Sequence, residues 1–282
     1  MTLQQATTPV ASSTGLTPAA RELILALADD ELCIGQRHSS WIGIAPFLEE
    51  DLAFISIAQD ELSHARALYR LVATNGAGDG SEGDEEIERE IDRLAMGRSF
   101  EQYRSCWLAE DPCTEWADAL VRHVLYDEAE TLRWQALCHS SLPALAALAE
   151  RVLAEEVYHR RHGSALLVRL LKGTAESRRR MEASLGRLLP LAATMFEPTQ
   201  DEDRARHDRI TNAGAAELFG QWQTLVGELL ERGGVTMTPA GTPAELHPGP
   251  VSGGRRGVRS PAFQGLFEEM TAVWGLDPAA NW

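Results

Sequence analysis

The chain has 282 residues, a hydrophobic fraction of 44% and a formal net charge of −16. That apolar content is enough for a sizeable core in one domain or two. The acidic balance argues against nucleic acid as a partner, because neutralising phosphates needs a basic face.

Residues 1–16, rich in Thr, Ser, Ala and Gln, have no basic start and no continuous apolar run. They read as a disordered tail, neither a signal peptide nor a membrane span. Thr17-Pro18 is an N-cap followed by proline at the first helical position, and it opens a helix predicted over 17–41. Its apolar stripe is Leu23, Leu27, Ile34 and Trp41. Pro46 interrupts, and a second helix is predicted over 49–74 with Phe54, Ile57 and Leu68 facing inward. A Gly/Asp/Glu-rich loop over 75–86 and short helical pieces over 86–106 follow. A third long helix is predicted after Pro112 to residue 140, through Trp116, Val121, Val124 and Leu132. Pro143 opens the fourth, to residue 171, through Leu148, Val152 and Leu166. Two further helices are predicted over 175–196 and 213–231. A Gly/Pro-rich loop over 233–257 separates them from a last helix over 260–273.

The fold class is therefore all-α. Helices one and two are closely joined, as are three and four, and one long crossover links the pairs, which is ferritin-like four-helix-bundle connectivity. One domain over 17–282 is expected, with the bundle over 17–172 and additional C-terminal helices over 173–282. No stretch is long and apolar enough to cross a membrane, so a cytoplasmic location is expected. Cys33, Cys106, Cys113 and Cys138 form no Cys-x-x-Cys pair and read as reduced, mostly buried thiols.

The second helix carries Asp60-Glu61-Leu62-Ser63-His64 and the fourth Glu155-Glu156-Val157-Tyr158-His159, so each contains Glu-x-x-His. Residues three apart share a helix face, and a carboxylate and imidazole at that spacing reach one metal ion. One such motif is weak evidence, but both fall on the apolar stripe. Glu61 lies four after Ile57, His64 four before Leu68, and Glu156 four after Val152. The other two helices each offer an inward acid, Glu31 between Leu27 and Ile34 and Glu128 between Val124 and Leu132. A modest helix rotation would substitute Asp30 or Asp127. The metal set is thus Glu31, Glu61, His64, Glu128, Glu156 and His159, matching the di-metal recipe of two Glu and two Glu-x-x-His. Glu31 to Glu128 spans 97 residues and Glu61 to Glu156 spans 95, as two equivalent hairpins would. Four carboxylates and two imidazoles suit two Fe ions, with Mn as the alternative, better than zinc. Asp60 and Glu155, each directly before a proposed ligand, are candidates to hold the ring N–H groups of the histidines, an exposed acid being the alternative for each. His38, His123, His139 and His162 show no partner pattern. Tyr126 and Tyr158 read as core or rim aromatics.

Beyond these motifs the sequence resembles a known family. Leu27-Ala28-Asp29, Gln36-Arg37, Trp41-Ile42-Gly43, Ala58-Gln59-Asp60, Ala65-Arg66 and Glu155 with Tyr158-His159 carry the resemblance. So does the ending: Gly253-Gly254-Arg255-Arg256-Gly257, Leu266, Glu269-Met270 and Trp282. These are similar to the ferritin-like subunits of ring-1,2-phenylacetyl-CoA epoxidase, a bacterial multicomponent oxygenase, and closer to its C subunit than to its catalytic A subunit. The resemblance covers residues 25–282. It implies a partner A subunit that carries a di-iron monooxygenase centre, a separate reductase as electron source, and an aryl-CoA substrate. It also implies a structural role for a C subunit, whose relatives commonly lack several metal ligands, whereas all six positions here hold Glu or His. Two readings stand: an epoxidase subunit with an intact di-iron site, and a non-catalytic subunit supporting A. A stand-alone iron-storage protein is a third, disfavoured by the extra C-terminal helices. No flavin or Fe–S motif is present. For the CoA phosphates the cationic candidates are Arg178 in Arg178-Arg179-Arg180, and Arg255 with Arg256. A solvated helix face and a partner contact are the alternatives.

Overall fold

The computed structural model describes residues 15–77, 84–235, 253–278 and 280. Most of the expected N-terminal tail, the middle of the loops after the second and ninth helices below, and Trp282 lie outside the described residues.

Ten α-helices and no strand are found among the described residues. In chain order they are α1 (Pro18–Ser39), α2 (Leu48–Ala73), α3 (Glu85–Met96), α4 (Trp107–Glu110), α5 (Trp116–Leu137), α6 (Pro143–Leu171), α7 (Ala175–Ala192), α8 (Glu202–His207), α9 (Ala215–Arg232) and α10 (Phe263–Thr271). The all-α, ferritin-like expectation holds. The long helices fall within a few residues of the sequence signals, because caps and prolines mark them. The Thr17 side chain accepts from Ala20 N at 3.2 Å, satisfying a donor that the first turn leaves open. Pro143 occupies the first turn of α6, where its missing N–H costs nothing. Two short helices, α4 and α8, carry too little periodicity to be seen in the sequence. Helix α7 is shorter than expected: Pro190 lies near its end and Ala193–Phe196 tighten into a 3-10 turn.

Helices α1 and α2 form one hairpin, α5 and α6 the other, and α2 also packs on α6. Between the α1 and α2 pair, the Asp51 carboxylate accepts from Gly43 N at 3.1 Å and Ala45 N at 3.0 Å, closing the connection. The long crossover, residues 74–115, carries α3 against α2 and α4 against α1. The C-terminal helices α7 and α9 then pack on α5. The Trp222 indole donates to Leu125 O at 2.9 Å, fixing α9 to that surface. The main hydrophobic core runs from Ala19 in α1 to Met270 in α10, and a smaller cluster of Trp41, Phe54, Cys113 and Ala119 packs with Trp116.

This arrangement makes α5 the central helix. Of its residues only Trp116 and Gln135 are not buried. A helix covered on every side has no solvent face, so apolar spacing along it no longer indicates direction.

The four cysteines are free; Cys33, Cys106 and Cys113 are buried and Cys138 is half-buried. Burial pushes the Cys33 thiol well above its ordinary range, as expected for an inert core thiol.

Candidate metal centre

Three consecutive acids on α1, Asp29, Asp30 and Glu31, are all buried. Successive helical residues point about 100° apart, so each meets a different part of the chain. Asp29 accepts from Arg98, from the Tyr69 hydroxyl at 2.6 Å and from Arg104 N at 2.6 Å. Asp30 accepts from Arg255 Nη2 at 2.6 Å, Arg133 Nη1 at 2.7 Å and Cys106 N at 2.7 Å. Burial opposes its ionisation, but these cations hold its carboxyl below the usual range. Glu31 alone turns into the bundle.

There it meets Glu61 and His64 of α2, Glu130 of α5, and Glu156 and His159 of α6. All six residues are at most 3% exposed. Their donor atoms form two overlapping groups with internal separations of 4.8 Å or less: Glu31, Glu61, His64 and Glu130, then Glu61, Glu156 and His159. A third group, Asp127, Glu130 and Glu156, joins them. Glu61 sits at the centre. Its Oε2 is 3.6 Å from His64 Nδ1 and its Oε1 is 3.8 Å from His159 Nδ1. One carboxylate thus offers one oxygen to each side of the cluster.

The imidazoles are oriented from behind, and reciprocally. His64 of α2 reaches Glu155 of α6 through Nε2 at 2.7 Å. His159 of α6 reaches Asp60 of α2 through Nε2 at 3.1 Å. A carboxylate at Nε2 favours the proton there and leaves Nδ1 directed at the cluster. Asp60 and Glu155 thus stand where the sequence suggested, each serving the histidine of the opposite helix.

The sequence expectation for α5 needs correction. Glu128 faces away from the cluster, its carboxylate accepting from Arg160 Nη2 at 2.5 Å and Ser164 Oγ at 3.4 Å. Glu130 takes the place in the cluster, with Asp127 three residues before it on the same helical face. The Trp134 indole donates to Glu130 Oε1 at 2.7 Å and fixes that carboxylate. The signal that would have found them is the i, i+3, i+7 register of Asp127, Glu130 and Trp134. The Val124–Leu132 stripe that selected Glu128 is uninformative on a helix buried all round from Ala117 to Trp134.

The electrostatics are those of several carboxylates crowded together away from water. Burial, then the charges of Glu130 and Glu31, push the Glu61 carboxyl well above its ordinary range. Burial, then Glu156 and Glu31, do the same to Glu130. Burial also raises Glu156. Burial would raise Glu31 too, but its contacts with His64 and Glu61 bring it below normal. Burial pulls both histidines down, yet the surrounding carboxylates win, raising His64 and lifting His159 to about 9. Many donor atoms remain without a hydrogen-bond partner: Glu31 Oε2, both oxygens of Glu61, Glu156 and Asp127, Glu130 Oε2, and Nδ1 of both histidines. Each such buried group costs about 1–3 kcal/mol, more when charged. Two divalent ions would satisfy them together, so the residues present fit a di-metal centre. An oxygen and imidazole set without thiolate suits iron or manganese.

His123 stands beside the cluster, its Nδ1 3.1 Å from Asp127 Oδ1. Its ring meets His38 edge to face at 5.3 Å. Both rings are fully buried. Tyr126 is buried and donates to Glu31 Oε1 at 3.3 Å, whereas Tyr158 is exposed on the outer face. Outside the cluster, α2 and α6 frame a groove of about 950 Å³ whose lining includes Asp60, Glu155, Tyr158, His159 and three arginines, Arg151, Arg161 and Arg169.

The cationic candidates for CoA fare differently. Arg255 is buried on Asp30 and cannot meet a phosphate. Arg178 is tied to Glu182 at 2.8 Å and to Gly234 O at 2.8 Å, as expected of a solvated helix face. Arg256 is exposed.

Fold and site together define a ferritin-like helical protein with a paired carboxylate–histidine cluster inside its bundle. Residues 4–282 match the family described as phenylacetic acid catabolic protein, and the chain belongs to it. It is 28% identical over 258 residues to the C subunit of 1,2-phenylacetyl-CoA epoxidase from Escherichia coli (strain K12), covering 92% of this chain and 97% of that protein.

Proposed function

We propose that this chain is a C-like subunit of a phenylacetyl-CoA 1,2-epoxidase-type complex, with a di-iron site formed by its own bundle. The observation that carries the reading is the position of Glu61 between two imidazoles, with both its oxygens buried and unpartnered. Glu31, Glu61, His64 and Glu130 would hold one ion and Glu61, Glu156 and His159 the other, with Asp127 at the edge. Bound iron would supply the redox chemistry by which O₂ is activated for epoxidation of an aryl-CoA ring. Asp60 and Glu155 orient the histidines and keep their Nδ1 lone pairs inward. Trp134 and Tyr126 hold Glu130 and Glu31. The near-complete burial of Glu31, Glu61, His64, Glu130, Glu156 and His159 keeps bulk water from the cluster. A separate reductase would supply electrons and a homologous A subunit would be the partner, in the cytoplasm; among the described residues no helix is long and apolar enough to cross a membrane.

A second reading is favoured by the relative, which is itself a C subunit. Here the chain supports an A subunit and its metal ions, if bound, serve structure. Elemental analysis of iron-grown protein, wild type against Glu61→Ala and Glu156→Ala, tests the first claim. About two irons per chain, lost in both variants, supports the di-iron site, and turnover of phenylacetyl-CoA with reductase and O₂ then separates the two readings. No iron in the wild type leaves only the supporting role.

A further inference from the structure

The Gly-Arg segment near the C-terminus ends up in the core. Residues 253–260 lie against α1, the crossover and the 3-10 turn after α7. Glu197 Oε2 accepts from Gly253 N at 2.9 Å and Arg255 N at 3.1 Å. A Cβ at Gly254 would come within 2.4 Å of Ser105 O, so only glycine permits this approach. Gly257 has φ +82°, and a Cβ there would lie 2.5 Å from Glu101 O. At the end of the segment Arg259 pairs with Glu110 at 2.8 Å, and the Trp107 indole donates to Val258 O at 2.9 Å.

At its centre Arg255 donates to both oxygens of Asp30, at 2.9 and 2.6 Å, and to Ala26 O at 3.1 Å. Asp30 Oδ2 is shared with Arg133 of α5. The Arg133 guanidinium lies 5.0 Å from the centre of the Tyr126 ring, and the Tyr126 hydroxyl donates to Glu31 Oε1. The path Arg255, Asp30, Arg133, Tyr126 thus ends on the one α1 carboxylate among the cluster groups. Asp30 and Glu31 are also neighbours, so clamping Asp30 fixes the rotation of α1 that aims Glu31 inward.

We propose that Arg255 is a positioning residue for the metal cluster: by seating the Gly-Arg segment on Asp30 it sets, through Arg133 and Tyr126, the carboxylate of Glu31. The inference rests on the metal reading above. It says that the ion held by Glu31, Glu61, His64 and Glu130 depends on the C-terminal segment, and that the ion held by Glu156 and His159 does not.

The test is Co(II) titration of the full-length, metal-stripped chain, followed by absorption spectra, for the wild type, Arg255→Met, Arg255→Lys, Arg259→Met and Tyr126→Phe. The wild type is expected to take two equivalents. Arg255→Met is expected to weaken one by about 10-fold or more, as loss of outer partners of metal ligands does, and to change the spectrum of that ion alone. Arg255→Lys restores part of the affinity. Arg259→Met removes a buried ion pair from the same segment without touching Asp30, and keeps both affinities. Tyr126→Phe, a small change for the fold, weakens the same equivalent as Arg255→Met and decides the matter if that variant does not fold. Two equivalents with wild-type affinity and spectra in every Arg255 and Tyr126 variant that folds overturn the proposal and leave the metal reading standing. Equal losses in Arg255→Met and Arg259→Met also overturn it, since the segment then acts only on stability. A wild type that binds no Co(II) overturns the metal reading itself, and the proposal with it.

Discussion

His64 and Glu155 stand 91 positions apart in the chain, on facing helices, and are joined Nε2 to Oε2 at 2.7 Å. His159 and Asp60 repeat the relationship in the opposite direction at 3.1 Å. The two Glu-x-x-His helices therefore hold each other's histidines, and neither imidazole is set by its own helix alone.

The reciprocal pairing predicts that Glu155→Gln and Asp60→Asn each weaken metal binding without abolishing it. Outer partners of this kind are worth about 10–100-fold in affinity. Competition titration against a chromophoric chelator reads the change. Unaltered affinity in both variants would show that the histidines are oriented by packing alone.

Glu130 and Glu128 should separate cleanly. Glu130→Ala removes a carboxylate common to two of the donor groups and is expected to lower bound metal below two per chain. Glu128→Ala breaks the partly exposed Arg160 pair and is expected to cost about 1 kcal/mol or less in urea denaturation, with metal content unchanged. The reverse pattern would return Glu128 to the site.

The metal-free chain should lose stability as pH rises. His159 titrates at about 9 in the fold against 6.5 ordinarily, so its stabilisation is complete below 6.5 and lost as pH climbs through 9. Glu61 and Glu130 have the same sign, because their raised carboxyls keep protons that the unfolded chain has released. Glu31 and Asp30, held low, contribute in the opposite sense only in acid. Thermal melts in chelator from pH 6.5 to 9 should show a falling Tm. Divalent metal, which needs deprotonated ligands, should bind more tightly over the same interval. A flat Tm in chelator would contradict the buried proton inventory.

Asp29 gives a stability prediction remote from the metal. Removing Arg98 leaves a buried carboxylate facing only Tyr69 and a backbone N–H, so Arg98→Met should cost about 3–5 kcal/mol, read from the denaturation midpoint. A loss below 1 kcal/mol would mean that water reaches the Asp29 carboxylate once the guanidinium is gone.

The all-helical class, the two hairpins and the inward placing of Glu31, Glu61, His64, Glu156 and His159 were all legible in the amino-acid pattern. Helices α2 and α6 each keep a solvent side, against which an inward charge stands out, and caps and prolines are local signals; α1 is buried on every side from Ala26 to Gly35, and there only the spacing of Glu31 from Leu27 and Ile34 singled it out. Even the possible service of Asp60 and Glu155 was legible, though not the exchange between helices. The choice among Asp127, Glu128 and Glu130 fell to packing, since α7 and α9 cover α5 and erase the polarity from which direction is read. Packing also removed Arg255 from the surface, because an arginine in a Gly-Arg loop shows nothing of the Asp30 it will meet 225 positions away. Local pattern fixes which face of a helix is dry, and contact between distant segments fixes which charge a dry face receives.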